Sequence, residues 1–128
     1  MIIDGEEFRY LVGGKEFHCP VDVTMNYIGG KWKSVVLFYL GQQPLRFGEL
    51  KEKIPQITEK MLSLQLKALA KDDFVERTVV PDTPPKVVYS LTKDGESLMN
   101  LVSEMERWGE QIVRSRGKLK KVGAGKRP

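Results

Sequence analysis

The chain has one cysteine and one histidine, and each scarcity removes a class of function. A single thiol, Cys19, cannot build an internal disulfide framework. With only His18 beside it, the soft ligands of a structural zinc site are also missing. The adjacent pair leaves no spaced histidine to complete a Ser-His-Asp set, and no Gly-rich phosphate loop of the P-loop or dinucleotide type occurs. Neither a metal nor a cofactor is therefore expected, and the least improbable enzyme is a thiol peroxidase working through Cys19. No stretch approaches the roughly 18 uninterrupted apolar residues of a membrane span. Asp4, Glu6 and Glu7 stand where a secretory leader would be basic, so the expectation is a cytoplasmic protein with no membrane partner.

What is present fits one domain: 128 residues, 41% of them apolar, are enough for a single core. The net charge of +4 invites a nucleic-acid reading, but its location matters more than its size. Seven of the 21 basic residues fall in 114–128, which holds no acid; the remaining 14 face 17 acids and leave residues 1–113 at −3. The excess thus belongs to a Gly- and Lys-rich tail with too little apolar surface to fold, and it reads as a solvated extension. Any DNA binding must come from finer placement of charge.

Along the chain, residues 7–12 alternate polar and apolar, meet Gly13-Gly14 and continue into Lys15–His18, which reads as a short hairpin or N-terminal arm. Pro20 opens a helix over about Val21–Ile28, closed by Gly29-Gly30. Trp32, Val35, Val36, Tyr39 and Leu40 give a second helix one buried face. After Gly41–Pro44, Phe47, Leu50 and Ile54 mark a third, shorter helix. Pro55-Gln56 then turns the chain. Thr58 is the expected N-cap of a fourth helix from about Glu59 to near Asp72, with Leu62, Leu66 and Leu69 inward. Residues 75–80 and 86–91, rich in Val, Thr and Tyr, read as antiparallel strands joined by the breakers Pro81–Pro85. Thr92 caps a single long helix to about Val113, striped by Leu98, Leu101, Val102, Met105, Trp108 and Ile112.

Two helices across a short turn, followed by two strands with a long loop, spell a helix-turn-helix with a wing. The fold class is mainly α with a small β-wing, a winged helix-turn-helix with an added C-terminal dimerisation helix. An N-terminal arm at 1–18 precedes the 19–113 domain, and the basic tail at 114–128 follows it. With Leu62 inward, Lys60, Leu64, Lys67 and Lys71 lie on the opposite side of the fourth helix, with Ser63 at one flank. Lys60 and Lys67 suit phosphates or guanine edges, Thr58 and Ser63 can donate to phosphates or bases, and Leu64 can touch a thymine methyl. Lys86, beside Pro84-Pro85, is a candidate phosphate or minor-groove contact, and Arg46 a candidate backbone clamp. Glu59 and Asp82 oppose this electrostatic account and have no assigned role.

A set of segments then carries a resemblance: Cys19-Pro20-Val21, Ile28-Gly29-Gly30-Lys31-Trp32-Lys33, Pro44-Leu45-Arg46-Phe47-Gly48-Glu49-Leu50, Lys60-Met61-Leu62, Val75-Glu76-Arg77-Thr78-Val79, Pro84-Pro85-Lys86-Val87-Val88-Tyr89-Ser90-Leu91-Thr92 and Trp108-Gly109. In order and spacing across roughly residues 18 to 112 they resemble the HxlR-type regulators. The resemblance implies a homodimer that binds a pseudo-palindromic operator in double-stranded DNA and represses or activates neighbouring genes. Arg46, Thr58, Lys60, Ser63, Lys67 and Lys86 match DNA-facing positions; Leu64, Gly48 and Val88 depart from the residues common there. The resemblance also implies that Cys19 senses oxidants or electrophiles. A helix start favours its thiolate, and Lys15 or His18 would add to that. As the sole cysteine, it could form only an intersubunit disulfide or an adduct with a small thiol. The alternative is a small buried apolar residue.

The stripe from Leu98 to Ile112 is about 21 Å long at 1.5 Å per residue, more than so small a domain can cover. A homodimer through this helix, the first helix and the arm is expected. Against DNA binding stands a winged helix that binds protein instead, since the fold alone does not fix function.

Overall fold

The structure is a computed structural model, and it describes residues 1–123. Two small hairpins come first: β1 (Ile2–Ile3) with β2 (Glu6–Glu7), and β3 (Tyr10–Val12) with β4 (Lys15–Phe17). Each turns on two residues with positive φ, Asp4 (51°) and Gly5 (81°) in the first, Gly13 (56°) and Gly14 (77°) in the second. That backbone matches the twist of a tight hairpin, and Asp-Gly and Gly-Gly adopt it readily. The second hairpin is the one the alternation predicts; the first is an addition to it, and Asp4-Gly5 is its signal. The N-terminal ammonium donates to the Phe8 carbonyl at 2.8 Å, tying the end of the chain to the joint between hairpins. Phe17 is buried, and β3 and β4 both pack on the first helix.

The helices follow: α1 (Pro20–Ile28), α2 (Lys33–Leu40), α3 (Phe47–Lys53) and α4 (Glu59–Lys71). Their buried faces supply Ile28, Val36, Leu37, Leu40, Leu50, Leu62, Leu66 and Leu69 to one core. Burying a side chain of this size contributes about 1.5–3 kcal/mol. Tyr27 of α1 meets Phe74 edge to face, with ring centroids 5.6 Å apart.

The wing is a three-stranded antiparallel sheet in place of the expected pair. Its order is β5 (Leu45–Arg46), β7 (Lys86–Leu91), β6 (Val75–Val80). β6 and β7 keep their expected bounds, in a register from Val75↔Leu91 to Val80↔Lys86. β5 pairs Leu45 with Tyr89 and Arg46 with Val88, so β7 is central and Val88 is half-buried. A two-residue strand is too short to show alternation in the sequence.

The expected single helix after Thr92 is two, α5 (Lys93–Glu96) and α6 (Met99–Arg116). At the joint the Leu98 N–H reaches back three residues to the Gly95 carbonyl, at 3.1 Å, and the turn tightens. Because Ser97 and Leu98 keep right-handed helical angles, the apolar periodicity runs through the joint. α6 passes the expected end and carries Arg114 and Arg116 on its last turn. Residues 117–123 form no helix or strand; Lys126 and Arg127 of the expected tail lie outside the described residues.

Candidate nucleic-acid interface

The helix-turn-helix is α3, the turn 54–58 and α4. Ile54 and Ile57 are both buried, and the Ile57 N–H donates to the Ile54 carbonyl at 3.2 Å, so the turn is pinned from beneath. Thr58 caps α4 as its sequence position implies: its Oγ1 accepts the Met61 N–H at 3.0 Å. The hydroxyl proton is left available to a phosphate.

With Leu62, Leu66 and Leu69 held in the core, Lys60, Leu64 and Lys67 emerge on the opposite side, joined by Lys71. Leu64 is 51% exposed, a large apolar side chain on an otherwise basic face. Ser63 is half-buried at the flank. Glu59 is exposed in the first turn of α4, where a carboxylate complements the helix dipole.

Arg46 occupies the N-cap position of α3, and Glu49 reaches back so that its Oε1 accepts the Arg46 backbone N–H at 2.8 Å. The same oxygen lies 3.5 Å from the Arg46 Nε. The hydrogen bond from the Arg46 backbone is the main reason the Glu49 carboxyl is held below its ordinary value, with the charges of Arg46 and Lys53 adding to it. In the wing loop, Asp82 Oδ1 accepts the Thr83 N–H at 2.8 Å and its Oδ2 sits 3.3 Å from Lys86 Nζ. These pairings supply what the sequence reading missed: Asp82 and Glu49 are partners of Lys86 and Arg46. The β5–β7 pairing brings Arg46 beside the wing, and Arg46, Glu49, Glu52, Asp82 and Lys86 line one groove between α3 and the loop.

The C-terminal stripe divides. Val102, only 5% exposed, belongs to the chain's own core, and Leu98 packs against that core; these two expected interface residues are used internally. The reason is α2, whose Val35, Phe38 and Tyr39 line an apolar groove with Val102 and Met105 of α6. Leu101, Met105 and Trp108 stay exposed, Trp108 at 65%, and Ile112 is half-buried. Val21 and Met25 on α1 are exposed too.

Cys19 is a free, half-buried thiol at the N-cap of α1, and its side chain makes no capping bond. Asp22, in the first turn, takes the His18 N–H at 2.9 Å.

A pinned turn, a helix with an outward basic face and a three-stranded wing define a winged helix-turn-helix, and the class is that of DNA-binding transcriptional regulators. Residues 27–116 match the model of the HxlR-like helix-turn-helix proteins, and the chain belongs to that family. The HTH-type transcriptional regulator YodB of Bacillus subtilis (strain 168) is 39% identical over 95 residues, 73% of this chain and 85% of YodB. Among solved structures, the redox regulator HypR in its oxidised form is 40% identical with a TM-score of 0.70, covering 81% of this chain and 100% of HypR. The reduced form of YodB is 37% identical with a TM-score of 0.66, covering 80% of this chain and 100% of that one. Among the described residues no helix is long and apolar enough to cross a membrane.

Proposed function

We propose that the chain binds a pseudo-palindromic operator as a homodimer in the cytoplasm and thereby represses or activates neighbouring genes. Recognition runs through the outward face of α4, where Lys60, Ser63, Leu64 and Lys67 face the major groove and Thr58 meets the backbone at its start. Arg46 and Lys86 hold the flanking phosphates. The observation that carries this reading is the clean division of α4, with Leu62, Leu66 and Leu69 buried and three lysines on the other side. Base readout belongs to such a face, and phosphate contact to the cations around it.

An operator selected from a random duplex pool provides the test. Lys67→Ala is expected to weaken operator binding more than binding to an unrelated duplex, as the loss of a base contact does. Operator affinity unchanged in both Lys60→Ala and Lys67→Ala would remove α4 from the interface.

Cys19 is the proposed sensing residue. Its support is a free, half-buried thiol at a helix start, together with similarity to the redox regulator HypR. Oxidation joins the thiols of two protomers, or one thiol and a small thiol, in a disulfide; two protons and two electrons pass to an oxidant such as diamide. Diamide is expected to shift operator affinity of the wild type and to leave Cys19→Ser unchanged. An equal response in both proteins would take Cys19 out of the account.

A further inference from the structure

The groove between α3 and the wing loop contains two cations that the proposed function assigns to phosphates, yet it carries three acids. Lys86 lies 3.3 Å from Asp82, and Arg46 lies 3.5 Å from Glu49, so neither cation is free in the unbound protein. Asp82 is not a loosely hanging acid, because the Thr83 N–H holds its other oxygen at 2.8 Å. The carboxylate is fixed where an incoming phosphodiester must approach Lys86.

We propose that Asp82 tempers the DNA-binding surface: it neutralises Lys86 in the free protein and lowers the affinity of the wing for duplex DNA of any sequence. The inference rests on the reading that the wing faces DNA, and it adds a role for an acid that reading leaves out. A phosphate that takes Lys86 leaves the Asp82 carboxylate unpaired beside it. One anion is then exchanged for another next to the ammonium, and the carboxylate takes up a cation from solution as the DNA releases one. The penalty is set at the wing and not at α4, so it lowers operator and non-operator affinity by the same factor.

The experiment measures operator and non-operator duplex binding by fluorescence anisotropy across a sodium chloride series. It compares wild type, Asp82→Asn, Asp82→Ser, Lys86→Ala and the double variant Asp82→Asn/Lys86→Ala. Both Asn and Ser keep an oxygen that can accept the Thr83 N–H while removing the charge. Asp82→Asn and Asp82→Ser are expected to tighten operator and non-operator binding alike by about two- to fivefold, the range of a half-exposed ion pair. They should also steepen the salt slope by about 0.9 and leave the ratio of operator to non-operator affinity unchanged. In the Lys86→Ala background the competition for the ammonium is gone and only the direct repulsion between carboxylate and phosphate remains, so the Asp82 effect should shrink. Non-operator binding that is unchanged or weaker in both Asp82 variants, while Lys86→Ala alone weakens it, overturns the proposal and leaves the wing contact standing. If Lys86→Ala changes neither affinity nor slope, the wing contact itself falls, and the role of Asp82 with it.

Discussion

Glu49 does two things at once: it closes the first turn of α3 and fixes the charge of Arg46 beside the wing. Its carboxyl titrates below the ordinary value of 4.5, chiefly because the Arg46 backbone N–H favours the ionised form. A depressed folded pKa means the contribution to stability is present above 4.5 and is lost as pH falls through the lower, folded value. Urea unfolding at stepped pH should therefore show wild type losing stability below about 4.5 more steeply than Glu49→Gln. Parallel acid limbs in the two proteins would contradict the assignment. Part of this site was legible in the residues: Arg46, Lys60, Lys67 and Lys86 stand out as basic positions around a helix-turn-helix. Their partners were not. Asp82 and Lys86 sit four apart in a proline-rich loop, where no helical period brings them together, and only the fold of the hairpin sets the pair at 3.3 Å.

Elements with several repeats of their period were readable, and strands of a single repeat were not. α4 shows its buried leucines at helical spacing, and β6 and β7 keep their expected bounds because β-branched runs end at prolines. β5 and the first hairpin have two-residue strands, and the joint at Ser97-Leu98 changes the hydrogen bonding without changing the apolar stripe. The joint has a fixed neighbour. Gly95 is buried, and a Cβ there would run into the Phe74 carbonyl oxygen. Thr92 ties the same corner: its hydroxyl donates to the Asp73 carbonyl and accepts the Gly95 N–H at 3.0 Å. Gly95→Ala should lower stability by about 1–3 kcal/mol, seen as a drop in the thermal midpoint. Gly109→Ala, on α6 with open space around the position, should not destabilise the fold. A gain in stability in Gly95→Ala equal to that in Gly109→Ala would mean that helix propensity, not the close approach at Phe74, governs the corner.

At the scale of the molecule, residues 1–113 are net acidic, so DNA binding depends on where cations sit and not on bulk charge. The same scale exposes apolar surface with no cover in one chain: Trp108, Leu101 and Met105 on α6, Val21 and Met25 on α1, and Leu11 in the arm. A second copy is the proposed cover. Trp108→Glu should shift the sedimenting species toward monomer at about micromolar concentration, where a two-chain contact of moderate affinity is half formed. Circular dichroism should stay native, since Trp108 is not in the core. A dimer that survives this substitution uses another surface. The short strand β5 carries a different consequence, for anyone who would redirect the protein to a new operator. Because Leu45 and Arg46 are hydrogen-bonded into the wing sheet, a chimera that transplants β5, α3 and α4 without β6 and β7 would graft one strand of a foreign sheet onto two native ones. The transferable cassette runs from Gly41 through Leu91, and its seams belong in the turn before β5 and after the last rung of β7.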